Sequence, residues 1–181
     1  MGAVAQPLPQ ADQFCRDEAV LAAPAERVWE VLTDLATWQQ WWNLVTIVPL
    51  GPTQLAPGVQ FRFEGQRPGR PPTAWTVEVL ELDPPRRIEL AYTEGDLVGR
   101  TAWELQPAEG GTRTAYVYRG VHATSPGSGA TFERYGTRLH SVAMQVDALA
   151  GLARYLRGEP LDDAWRADVH ARMNAGVAAL D

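Results

Sequence analysis

Tyr116 and Tyr118 are two phenols spaced two residues apart, the first pair in the chain whose type and spacing point to chemistry. In an extended strand, side chains at i and i+2 leave the same face. Phenols turned together into an interior each need a hydrogen-bond partner, which a polar group of a bound molecule or a water supplies. Arg119 and His122 follow, and the histidine at the segment's end is placed to reach a ligand or to act as a general base. Tyr116, Tyr118, Arg119 and His122 are therefore the catalytic candidates. The competing readings are plain packing for the aromatics and a solvated loop position for the histidine.

Other residues exclude more than they offer. All 16 basic residues are arginine, which removes a phosphate-loop lysine, a Schiff-base lysine and a serine–lysine pair. The formal charge of −6, with no basic run, argues against nucleic acid as a partner, and so against Trp38, Trp41 and Trp42 as a base-stacking platform. His122, His140 and His170 fall in different elements at no ligand spacing, so neither a metal nor a cofactor is expected. His140 lies one step off its helix's apolar stripe and is expected at the surface. Cys15 is the sole cysteine, which excludes an intrachain disulfide and a Cys-x-x-Cys pair. Ser125, Ser128 and Ser141 are the only serines, and none sits in a nucleophile elbow. Gly127 to Gly129 reads as a helix entry rather than an anion cradle. Glu30 and Asp34 read as a surface acid and a helix cap rather than an acid/base pair. No apolar run approaches the roughly 18 residues of a membrane span, and the start has no signal-peptide character; a cytoplasmic protein is expected.

The elements that must position these residues follow from periodicity. Residues 1–12 read as a flexible leader, 13–157 as the main domain and 158–181 as an additional helix. Phe14 to Ala22 suits a strand, and Pro24 and Ala25 open a short helix with Val28, Val31, Leu32 and Leu35 on one face. Asp34 ends it and caps a second, Leu35 to Trp42. Alternation through Val59, Phe61 and Phe63, through Trp75, Val77 and Val79, through Ile88, Leu90 and Tyr92, and through Trp103 and Leu105 marks strands. Their turns, among them Asp83-Pro84-Pro85-Arg86 and Glu109-Gly110-Gly111, are too short for anything but antiparallel pairing. Tyr135, Leu139, Val142, Val146, Leu149, Ala153 and Leu156 then form one apolar stripe of a long helix expected to face the sheet. Leu161, Trp165, Val169, Met173 and Val177 mark a final amphipathic helix, expected to cover either the outer sheet face or another subunit. One strand, two short helices, about six more antiparallel strands and a long helix make an α+β domain whose curved sheet grips that helix.

Ala23-Pro24-Ala25-Glu26-Arg27-Val28-Trp29-Glu30-Val31-Leu32-Thr33-Asp34, Trp38-Gln39-Gln40-Trp41, Leu82-Asp83-Pro84-Pro85-Arg86-Arg87 and Glu109-Gly110-Gly111-Thr112-Arg113 carry a resemblance. Over roughly residues 13 to 157 the chain resembles the polyketide cyclase/dehydrase branch of the START-like (SRPBCC, helix-grip) superfamily. That resemblance implies a seven-stranded antiparallel sheet wrapped around the C-terminal helix, with an apolar cavity between them opening near the two short helices. On this expectation Phe61, Phe63, Trp75, Tyr92, Trp103, Tyr116 and Tyr118 line the cavity from the sheet. Tyr135, Leu139 and Val142 line it from the helix, Trp41 joins the ligand-binding set, and one or two of Trp38, Trp41 and Trp42 plug the cavity's end. The expected function is binding of a small or medium hydrophobic molecule, a lipid or an aromatic polyketide. The alternatives are a polyketide aromatase/cyclase, and a protein-interaction module like the heat-shock ATPase activator relatives; the extra helix raises the possibility of a homodimer.

Overall fold

Strand alternation is the main organiser. In the computed structural model, which describes residues 13–65, 73–122 and 137–180, seven strands form one antiparallel sheet in the order β1-β7-β6-β5-β4-β3-β2. They are β1 (Gln13–Leu21), β2 (Val45–Pro49), β3 (Gln60–Gly65), β4 (Thr73–Asp83), β5 (Arg87–Gly95), β6 (Leu97–Ala108) and β7 (Gly111–His122). The expected α+β helix-grip architecture is what forms. On β3, Phe61 and Phe63 are buried while Gln60, Arg62 and Glu64 are exposed, so the period-2 pattern sorts one face inward. The β6–β7 hairpin turns at Gly110, whose φ of 82° lies in the left-handed region that glycine enters without a Cβ penalty.

Between β1 and β2 run α1 (Ala25–Thr33) and α2 (Leu35–Trp41). Pro24 precedes α1, and the Asp34 side chain accepts from the Ala36 amide at 3.0 Å, so Asp34 is the cap anticipated between the two helices. Trp38, Trp41 and Trp42 are all buried and pack on Phe61, Phe63 and Trp103.

The long helix consists of α3 (Thr137–Ala143), a π-helical segment (Met144–Leu149) and α4 (Ala150–Leu156). The wider π turn brings residues four apart nearly into line. Consequently His140, Met144, Ala148 and Leu152 lie on a strict spacing of four, and the last three belong to the core against the sheet. Leu139, Val142 and Val146, expected on the sheet side, belong instead to a second apolar cluster with Trp165, Val169 and Met173. This corrects two expectations together. The N-terminal half of the stripe faces α5 (Asp163–Ala178) while Leu149, Ala153 and Leu156 stay with the sheet-side core, and Trp165, Val169 and Met173 of α5 pack on the back of the long helix rather than on the outer sheet face. A sequence stripe reports that a face is covered, not by what.

Asp147 lies within the π segment and is wholly buried. Its carboxylate accepts from the backbone amides of Asn43 (2.9 and 3.0 Å) and Leu44 (2.7 Å) and from Asn43 Nδ2 (2.9 Å), tying the long helix to the chain just after α2. Close by, Gly151 meets α2 so tightly that a Cβ there would strike the Trp41 carbonyl oxygen.

Candidate functional site

The concave face collects most of the strand residues picked out from alternation. Phe61, Phe63, Tyr92, Trp103, Tyr116 and Tyr118 are fully buried, and Trp75 is half-buried beside Phe63 and Tyr92. Cross-strand register explains the grouping, since Phe63 pairs with Trp75, and Trp103 with Tyr116. At the α2 end the face is dense: the Trp103 ring stands edge-on to Trp38, Trp41 and Trp42. Trp41 is buried at this end, packed on Trp38, Trp42 and Trp103.

Away from the tryptophans, the interior turns polar. The Tyr92 and Tyr116 hydroxyls are in direct hydrogen-bond contact, and the nearby buried Thr101 hydroxyl has no hydrogen-bond partner among the described residues. Tyr118 donates to the Val98 carbonyl oxygen at 3.4 Å. Burial pushes the ionisation of Tyr92 and Tyr116 upward, so both remain neutral at physiological pH and serve as donors rather than as general bases.

From the helix side comes His140, which is a correction: its side chain is only 15% exposed and points inward. The imidazole stacks on Tyr116 and on Tyr118, with centroids 5.6 Å away in each case. Its Nδ1 lies 3.3 Å from Cys15 Sγ and 3.9 Å from Asp17 Oδ2. Cys15 and Asp17 sit at i and i+2 on β1, both on the concave face and 6% and 5% exposed. Ser141 donates to Asp17 Oδ2 at 3.1 Å. Burial raises the Cys15 thiol to about 12 and also raises the Asp17 carboxyl, so the thiol is protonated at neutral pH. Cys15, Asp17, His140, Ser141 and Thr101 were not foreseen as site residues. The parity of Cys15 and Asp17 with buried Leu21 was available in the sequence, whereas the inward turn of His140 depends on the π segment.

The remaining candidates are dispersed. Arg119 is exposed on the other face of β7, with its guanidinium 4.9 Å above the Phe14 ring, so it does not reach Tyr116 and Tyr118. Leu139 and Val142 face α5. His122 ends β7, but its side chain lies outside the described residues, as does Tyr135. A separate groove of about 300 Å3 lies among Arg27, Trp29, Glu30, Asp34, Gln54 and Tyr155. Its acids are engaged, Glu30 by Arg27 at 3.1 Å and Asp34 by its capping bond, which leaves no acid/base pair there.

The family described as polyketide cyclase / dehydrase and lipid transport matches residues 15–157, which span β1 through α4. The chain belongs to that family. Solved structures agree on the fold. A Chromobacterium violaceum protein, CV1439, is 24% identical with a TM-score of 0.57, over 82% of this chain and 98% of its own. TTHA0849 from Thermus thermophilus is 22% identical with a TM-score of 0.62, over 80% and 97%. The Zhui aromatase/cyclase from a Streptomyces species is 18% identical with a TM-score of 0.62, over 80% and 93%. No curated protein matches the chain. Helix α5 lies beyond the stretch that matches the polyketide cyclase / dehydrase and lipid transport family. Among the described residues, no helix is long and apolar enough to cross a membrane.

Proposed function

We propose that the chain binds a small or medium apolar molecule, of lipid or aromatic polyketide character, against the concave face of its sheet. Phe61, Phe63, Trp75, Tyr92, Trp103, Tyr116 and Tyr118 supply the contact surface, and Trp41 forms its end wall. One observation carries this reading: the apolar face holds buried donors that go unused. Trp75 Nε1, Trp103 Nε1 and the Thr114 hydroxyl, which shares the face of Tyr116, have no hydrogen-bond partner among the described residues. A buried polar group left without a partner costs roughly 1 to 3 kcal/mol, and a guest with carbonyl or hydroxyl oxygens would relieve that cost. Enclosing about 300 Å2 of ligand apolar surface would contribute about 7 kcal/mol before association costs.

A second reading is an aromatase/cyclase, favoured by the likeness to the Zhui enzyme and by the His140 imidazole stacked on two phenols. In that case the neutral Tyr116 and Tyr92 would donate to the carbonyl of an enolising chain while another group takes the proton. The interaction reading loses its main support, because the apolar face of α5 is covered by the chain's own long helix.

Thermal-shift titration with fatty acids and with hydroxylated aromatic polyketides tests the first reading. A bound compound at about 100 times its Kd stabilises by about 2.7 kcal/mol, and no shift with any compound would refute it. Tyr116→Phe is expected to weaken an oxygenated ligand about tenfold, near 1.4 kcal/mol, while sparing a hydrocarbon. If that variant lowers turnover of a poly-β-keto substrate and leaves binding intact, the cyclase reading replaces simple binding.

A further inference from the structure

We propose that Cys15, Asp17 and His140 form a binding site for a single divalent metal ion of the zinc type. Nothing in the ligand-binding reading is needed for it.

The first support is convergence. Strand alternation turns Cys15 and Asp17 to the same side of β1, and α3 crosses above them and lowers His140 into the gap. The Cys15 sulfur, one Asp17 oxygen and one His140 nitrogen all lie within 4.8 Å of one another. With zinc–sulfur, zinc–nitrogen and zinc–oxygen bonds of about 2.3, 2.0 and 2.1 Å at tetrahedral angles, donor atoms stand about 3.4 to 3.6 Å apart. The observed 3.3 Å from Sγ to Nδ1 and 3.9 Å from Oδ2 to Nδ1 bracket those separations. Small side-chain rotations would seat an ion.

The second support is which nitrogen is shared. In a thiol–imidazole–carboxylate relay the two partners engage opposite ring nitrogens, so that a proton taken on one side is stabilised from the other. Here thiol and carboxylate both address Nδ1. That geometry directs three donor types at one point. A thiolate, an imidazole and a carboxylate together suit zinc or cobalt better than magnesium or calcium, which prefer oxygen alone.

The third support is the scaffolding around the donors. Ser141 holds Asp17 Oδ2, and the rings of Tyr116 and Tyr118 stack on the imidazole at interplanar angles of 23° and 21°, which fixes its plane. Among the described residues no arginine pairs with Asp17. Binding exchanges the thiol proton for the ion. Three protein donors leave a fourth tetrahedral position for water or for an oxygen of a guest molecule.

The sole cysteine makes the test clean, because any thiolate–metal signal must come from Cys15. The full-length protein, stripped with chelator, is titrated with Co2+ under reducing conditions. The expected result is one equivalent bound, a thiolate-to-cobalt charge-transfer band and the intense visible bands of four-coordinate cobalt, both abolished by competing Zn2+. Cys15→Ser should erase the charge-transfer band, and His140→Gln should weaken Zn2+ at least tenfold, with circular dichroism confirming that each variant is folded. Zn2+ should also raise the melting temperature of the unmodified chain and not that of His140→Gln. Should one variant fail to fold, the other decides. Absence of the charge-transfer band in the unmodified chain, or its persistence in Cys15→Ser, overturns the proposal.

Discussion

Replacing Asp147 with alanine tests how the long helix is fastened to the tryptophan end of the interior. The wholly buried carboxylate accepts from two backbone amides and one side-chain amide. Asn43 is partly exposed, so its Nδ2 can turn to water, and the Leu44 amide is the donor most fully stranded. Two stranded backbone donors at about 1 to 3 kcal/mol each, less the relief of removing a desolvated charge, give a net loss of about 3 kcal/mol. For a domain of this length that is a fall in Tm of about 6 to 12 °C. The pH dependence sharpens the test. Burial holds the Asp147 carboxyl above its ordinary value of 3.8, against the pull of the Asn43 and Leu44 donors. The native state therefore keeps a proton that the unfolded chain has already released, and the stability from this group declines as pH rises from near 4 through the raised value. Alanine lacks that slope, so the variant's deficit should be larger at about pH 4.5 than at about pH 7.5. Urea titrations followed by tryptophan fluorescence at both pH values measure it. A loss below about 1 kcal/mol would refute the fastening role, and a deficit that grows with pH would show that the donors outweigh burial.

Gly151→Ala places a methyl group against the Trp41 carbonyl oxygen, so α2 and α4 must separate; a loss of about 2 kcal/mol and a red shift of tryptophan emission are expected. Trp165→Ala removes the indole packed between the guanidinium groups of Arg154 and Arg172, each 4.8 Å from its ring, and should cost about 3 kcal/mol in denaturant titrations. Sedimentation of that variant separates intrachain cover from assembly: an unchanged oligomeric mass fits α5 packing on its own long helix, and a changed mass would contradict it.

Much of the candidate site was open to reading from strand parity. Phe61 and Phe63 alternate with polar residues, Trp103 and Leu105 share one parity as do Tyr116 and Tyr118, and a period of two across an antiparallel sheet brings each set to one face. The Asp34 cap and the hairpin glycine were equally legible, because capping and left-handed turns are settled within a few residues. The helix side was not. Period counting assumes 3.6 residues per turn throughout and an apolar stripe that seeks the sheet, and this chain departs from both. The π segment realigns His140 with Met144, Ala148 and Leu152, while α5 supplies a second surface that claims Leu139 and Val142.

The chain's own order of residues thus determines the α+β layout, the antiparallel hairpins and the inward aromatic set, since each follows from contacts between near neighbours or from a period of two. Tertiary structure alone decides that the imidazole of His140 meets the thiol and carboxyl of β1, more than 120 residues away along the chain. It also decides that Asp147 binds the amides after α2, and that the last helix packs on the back of the long one. Those outcomes turn on which of several compatible apolar faces is covered by which element, a competition of packing free energies that no local pattern records.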